Sequence, residues 1–245
     1  MRNIKITIQY DGTRYRGWQR LKNDSNTIQG KIESVLSRMA EENVEIIGSG
    51  RTDAGAHAYG QVANFKTNSS MDIHEIKKYL YTYLPEDILV IDVQEMEKDF
   101  HARYNVVSKT YVYKIWNDTL HNPFLRKYAE HVPQRLNIDQ MKKAAAILTG
   151  THDFTSYCSS KSKKKSNVRT IYSIDIHREG PLLEITLRAN GFLYNMVRII
   201  TGTLLEVGCG NINPKDVGKI LQHKKRALAG PTISPKGLYL VEVEY

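Results

Sequence analysis

The chain has 245 residues, 41% hydrophobic and 25% charged, which suits an ordinary globular protein of one large domain or two small ones and excludes a disordered chain. Its 35 Lys and Arg against 26 Asp and Glu give a net charge of +9, which points to a polyanionic partner, nucleic acid foremost. Two distant cysteines, Cys158 and Cys209, exclude a disulfide framework, and the apolar stretch 192–207 is too short for a membrane span and carries Arg198; with no apolar signal core near the start, a cytoplasmic protein is expected.

Along the chain, residues 3–9 alternate like a strand, and Thr27 caps a helix in which Ile28, Ile32, Val35, Leu36 and Met39 share one face. Strands are expected over 44–47 and 61–65, a helix over 72–84 stopped by Pro85, and a strand over 88–93. The second half repeats this vocabulary. A strand over 110–116 sets Tyr111, Tyr113 and Ile115 on one face, and a helix follows over 139–148. Strands over 169–177 and 182–188 meet at a turn of Glu179, Gly180 and Pro181; helices over 192–207 and 214–222 precede a closing strand, 237–243.

Strands interleaved with helices give a mixed α+β class. The order strand–helix–strand–strand–helix–strand in the first half suits a ferredoxin-like sheet, and the second half is a looser variant. No linker rich in Pro, Gly or Ser divides the chain. Two ferredoxin-like subdomains, 1–105 and 106–245, are therefore expected, with their sheets packed together around a central basic cleft. The charge is uneven: residues 1–100 hold 13 Lys and Arg against 15 Asp and Glu, residues 101–245 hold 22 against 11. The runs KSKKK (161–165) and HKKR (223–226) would each alone read as a solvated loop. A whole half at that balance favours nucleic acid.

Between the second and third strands lies GSGRTDAGAHAYG (48–60), a glycine-rich stretch with one carboxylate, Asp53. An Asp in such a loop is ordinarily a turn residue. A phosphate cradle fails because Ala56 and His57 stand where Lys and Ser/Thr belong, and a dinucleotide fingerprint fails because its third glycine falls at Asp53. The scattered histidines lack the spacing of a zinc deaminase. No second carboxylate lies near Asp53 in sequence, which argues against glycoside hydrolysis. Arg198, amid the apolar helix 192–207, has no acid three or four residues away. A buried guanidinium must snorkel out or find a partner: a core acid such as Glu184 or Glu206, a phosphate, or Asp53. Pairing with Asp53 would hold an ionised, oriented carboxylate nucleophile.

The motif GRTDAGAHA (50–58) resembles the signature loop of the tRNA pseudouridine synthase A (TruA) family. So do YDGTRYRGWQ (10–19), TIQGKIE (27–33), DFHARYNVVSKTYVYKI (99–115), GTHDFTSYC (150–158), NGFLYNMVRIITGTLLEVG (190–208) and GLYLVEVEY (237–245). Ala56 departs from the Val common in that family. The resemblance implies isomerisation of uridine to pseudouridine in tRNA, at positions 38–40 of the anticodon arm, by a homodimer that needs no metal or cofactor. It implies Asp53 as nucleophile, Arg198 as its ion-pair partner, Tyr111 packed on the target base and Arg51 entering the space that base leaves. Tyr111 could equally be a core aromatic, and Arg51 could pair with Asp53. Arg14, Tyr15, Arg16, Trp18 and Arg20 interleave cations with aromatics, a composition suited to RNA, although Trp18 could serve packing. The competing readings are a non-catalytic RNA-binding protein and a synthase acting on other RNA.

Overall fold

The computed structural model describes residues 1–159 and 166–245; the lysine run 161–165 lies outside the described residues. In chain order the elements are β1 (Arg2–Tyr10), α1 (Ile28–Ala40), β2 (Ile46–Gly48), β3 (His57–Thr67), α2 (Ile73–Tyr83), β4 (Ile88–Met96) and β5 (Ser108–Trp116). There follow β6 (Glu130–His131), α3 (Ile138–Leu148), β7 (Gly150–Asp153), β8 (Val168–Glu179), β9 (Leu182–Ala189), α4 (Met196–Gly208), α5 (Asp216–His223) and β10 (Leu238–Glu244). The α+β class holds. The elements gather into two compact units, Met1–Val107 with Tyr239–Tyr245, and Ser108–Leu238. The division drawn at 105/106 kept residues 239–245 with the second half; here they count with the first. So divided, the first unit carries 14 Lys and Arg against 17 Asp and Glu, and the second 21 against 9.

In the first unit, β1 alternates strictly and buries Ile4, Ile6, Ile8 and Tyr10. It pairs antiparallel with β3, setting Ile4 opposite Phe65 and Ile6 opposite Ala63, and on its other side with β4. β2 pairs antiparallel with β3. The order β4-β1-β3-β2, with helices in both crossovers, is the ferredoxin-like arrangement expected from the sequence. Thr27 caps α1 by accepting Gly30 N–H, and the stripe Ile28, Ile32, Val35, Leu36 and Met39 is buried. Asp72 and Glu75 form a reciprocal capping box that fixes where α2 begins. β10 runs parallel to the start of β3, Tyr239 opposite His57. The strands approach so closely there that a Cβ on Gly60 would overlap the Val241 carbonyl oxygen.

In the second unit the order is β5-β9-β8-β7, every neighbour antiparallel, with β6 parallel to the end of β5. β5 and β8 are thus parallel with β9 between them and α3 in their connection, which is one split β-α-β. Leu183, Ile185, Leu187 and Ala189 of β9 are fully buried, as are Tyr113 and Ile115 of β5. β8 turns into β9 through Gly180, at φ +56°, and Pro181. A glycine with positive φ as first residue of a two-residue turn matches strand twist.

The helix expected over 192–207 starts only at Met196, because Asn195 adopts a left-handed conformation, φ +61°. Phe192 and Leu193 belong to its irregular approach. Arg198 therefore lies in the first turn of α4, half-buried, and not in the middle of a buried helix.

Candidate active site

Residues 49–56 join β2 to β3. Asp53 opens a tight turn in which Ala56 N–H donates to the Asp53 carbonyl (3.1 Å) and Gly55 has φ +80°, the glycine position of a type II turn. The backbone of Asp53 is thus that of a turn residue. Its side chain is half-buried, and Arg51 is exposed.

The stretch YDGTRYRGWQ grips this loop at its tip and at its exit. Near Asp53, Trp18 N–H donates to the Thr52 carbonyl (3.1 Å), and the Tyr10 and Thr52 hydroxyls are hydrogen-bonded at 2.7 Å. Gly17, φ +91°, is pressed against the same backbone: a Cβ there would lie 2.7 Å from Thr52 O and 3.1 Å from the carbonyl carbon of Asp53. At the loop's exit a Cβ on Gly12 would overlap the Ala56 carbonyl oxygen. Gly12 N–H points at Nδ1 of buried His57 (3.2 Å), which also lies 3.1 Å from Asp11 Oδ1. At the loop's entry Ser49 Oγ donates to Gln61 Oε1 (2.7 Å), and Gln61 Nε2 donates to Gly50 O (3.0 Å). A loop with few side chains cannot build a core of its own; neighbouring backbone and aromatics fix its path instead.

The two aromatics among the cations of this stretch serve packing, the alternative weighed for Trp18. Trp18 is 2% exposed and lies over Gly48, and Tyr15 is buried and donates to Asp87. Arg14 pairs with Asp87, Arg16 with Asp24 (3.5 Å), and Arg20 with Glu33 (3.0 Å) and Glu45 (2.9 Å). The aromatics are packing, and each cation has a carboxylate within its own unit. Sequence reasoning missed Thr52, Gln61 and His57. The signal that pointed toward them was the pair of glycines, 12 and 17, inside an aromatic stretch.

Gly12→Ala tests the clamp. The added methyl meets backbone, which cannot rotate away, so stability should fall by about 1–3 kcal/mol or more, with activity lost in parallel. Urea unfolding checks this; an unchanged midpoint would show the clamp to be slack.

In the second unit, Tyr111 on β5 is buried and meets Phe192 edge-on, ring centres 5.1 Å apart. Arg198 donates through Nε to the Ile233 carbonyl (2.7 Å) and through Nη1 to Asn195 Oδ1 (3.0 Å). The helix dipole disfavours a cation in the first turn, so the guanidinium is held where an anion would suit the backbone better. Of the two core acids considered as its partners, Glu184 pairs with Lys114 (3.4 Å) and Glu206 accepts from Asn211 (2.8 Å).

The segment that supplies Ile233 is strapped against α4 and β5. Gly230 N–H donates to Thr203 Oγ1 (2.9 Å), Tyr113 donates to the Ser234 carbonyl (2.6 Å), and a Cβ on Gly202 would overlap the Pro231 carbonyl oxygen. Arg226 braces it through the Gly230 carbonyl (2.9 Å) and Thr232 Oγ1 (2.9 Å). Within the basic run 223–226, Arg226 is therefore structural, and Lys224 pairs with Asp153 (2.8 Å). Burial and then the Glu130 charge push the Tyr113 phenol up, opposed by Arg198. Asp53 and Arg51 belong to the first unit, Tyr111 and Arg198 to the second. Among the described residues no cluster of His, Cys, Asp and Glu could hold a metal ion, and no helix is long and apolar enough to cross a membrane.

The family described as tRNA pseudouridine synthase matches residues 6–105 and 144–245. The chain is 52% identical to tRNA pseudouridine synthase A 2 of Bacillus cereus over 245 residues, all of both chains. It is 51% identical to tRNA pseudouridine synthase A 1 of Clostridium tetani and 45% identical to tRNA pseudouridine synthase A of a Thermoanaerobacter species, again over the full length of each. Matched along nearly its whole length, and carrying the clamped GRTDAG loop, the chain belongs to the tRNA pseudouridine synthase family.

Proposed function

We propose that this chain isomerises uridine to pseudouridine in tRNA, at positions 38–40 of the anticodon arm, with Asp53 as the nucleophile. The carrying observation is the Asp53 loop: one half-buried carboxylate on a backbone fixed at entry, tip and exit by buried groups. Such pre-organisation suits a group that must meet a reacting atom in one geometry. In the reaction the N1–C1′ bond breaks and a C5–C1′ bond forms. N1 gains a proton and C5 gives one up, so nothing is consumed and no redox partner or metal is required. Arg198 is the ion-pair partner of Asp53, Tyr111 packs on the target base, and Arg51 enters the space the base leaves. The enzyme acts as a cytoplasmic homodimer on one tRNA.

The basic second unit supports an RNA substrate. Taking a base out of a helical stack costs a few kcal/mol, and phosphate contacts offset it. Mapping pseudouridine in tRNA from cells with and without this protein tests the proposal; unchanged modification at positions 38–40 would refute it. Binding should weaken steeply with salt. Replacing Lys163, Lys164 and Lys165 together should flatten the slope of log K against log[salt] by about 2–3 if they contact phosphates. An unchanged slope would return that run to the solvent.

A further inference from the structure

We propose that the turn His101–Asn105 is a stacking site for an unpaired nucleobase of the tRNA, remote from the reacting uridine; this rests on the tRNA reading above. Tyr104 is 76% exposed. Its ring stacks on His101 with centres 4.2 Å apart, and the Arg103 guanidinium carbon lies 6.0 Å from its centre. Asn105 Oδ1 accepts His101 N–H (2.7 Å), and His101 Nδ1 accepts Arg103 N–H (3.1 Å). The turn is internally bonded, so the aromatic plane is set before anything binds.

Buried polar groups fasten the turn from below. Asn64, 1% exposed, accepts Ala102 N–H (2.9 Å) and donates to Asn3 Oδ1 (2.8 Å). Asn3 donates to the carbonyls of Phe100 (2.8 Å) and Glu97 (2.9 Å), and Tyr245 donates to that of Ala102 (2.7 Å). Burying two amides is unfavourable unless their bonds are made. Here those bonds fix a turn whose tip is an exposed aromatic with a cation beside it. Apolar residues could have closed the core more simply.

The position excludes the target uridine. Asn3 pairs with Lys66 at one end of the β1–β3 ladder, and Tyr10 pairs with Ala58 beside the Asp53 loop at the other. Seven residues of strand separate them, about 24 Å. The occupant is therefore another nucleotide of the same tRNA. Charge decides for a base over a phosphate: the first unit carries more acid than base, so it does not draw the backbone as the second unit does. Stacking needs no net charge, because every unpaired base has a π-face, and the adjacent Arg strengthens it.

The test uses the full chain and unmodified tRNA. Tyr104→Ala should weaken tRNA binding roughly 5- to 150-fold, while Tyr104→Phe, which keeps the π-face, should bind like the parent. Tyr104→Trp should show an indole emission quenched when tRNA is added. Because the side chain is exposed, the unfolding midpoint of each variant should match the parent. Parental affinity in Tyr104→Ala overturns the site, as does a loss in Tyr104→Phe equal to that in Ala, which would make the hydroxyl the contact. A change of sedimentation mass without loss of affinity would assign the surface to a second copy. If the parent chain binds tRNA but forms no pseudouridine, the functional reading fails while the affinities still judge this site.

Discussion

Asp53→Asn should abolish pseudouridine formation, by a factor of at least about 10⁴, while the unfolding midpoint and tRNA affinity should stay close to those of the parent. The substitution is nearly isosteric. Backbone bonds fix the main chain here: its own carbonyl accepts from Ala56, and the neighbouring Thr52 carbonyl accepts from Trp18. Gly17 presses on backbone as well. An amide in place of the carboxylate disturbs none of these, yet it cannot attack. The fold therefore survives and bond-making does not, in contrast to Gly12→Ala, where fold and activity fall together. Because C5 gives up its hydrogen in the reaction, release of tritium from tRNA labelled at uridine C5 measures turnover directly. Release within tenfold of the parent would remove Asp53 from the nucleophile's role.

What was legible in the sequence was what is local. β1 alternates and α1 carries its stripe behind a Thr cap, so the first unit's ferredoxin-like order could be read from periodicity. The membership of residues 239–245 could not. Their pairing with β3 joins positions about 180 apart, and a parallel contact at that separation leaves no local pattern. The start of α4 was hidden for another reason. Phe192 and Leu193 continue the apolar run of the helix, and the break comes from the backbone of one residue, Asn195, a type that tolerates the left-handed region. Composition alone could not divide the stretch 10–20: Tyr15 and Trp18 are buried, whereas Arg14, Arg16 and Arg20 stay at the surface beside Asp24, Glu33, Glu45 and Asp87, acids that lie elsewhere in the chain. Glycines 12 and 17 were the better guide, since each stands where backbone meets backbone. The isolation of Asp53 was plain from sequence because it needed no long-range information. The strap at 229–236 was invisible because its hold on Arg198 runs through a main-chain carbonyl, which any residue type at 233 could supply.

Arg198→Met should lower turnover by about 10²–10³, while Arg198→Lys should keep part of the activity. The guanidinium sits in the first turn of α4, where the dipole costs a cation about 0.3–1 kcal/mol. Its bonds to Ile233 O and Asn195 Oδ1 fix the plane of the fork. Met removes the charge and these bonds. Losing donors to the two half-buried acceptors costs about 1–3 kcal/mol each at most, partly offset by the relieved dipole, so a modest drop in stability is expected and must be measured separately. A split between Met and Lys is what a purely structural role would not produce. If Arg198 acts on Asp53 through its charge, Lys restores that charge at a single point without the fork, so turnover should recover in part although the paired bonds to Ile233 O and Asn195 Oδ1 are not remade. Turnover in a folded Arg198→Lys no higher than in Arg198→Met would remove the ion pair with Asp53 from the mechanism and leave Arg198 as the residue that ties the strap to α4.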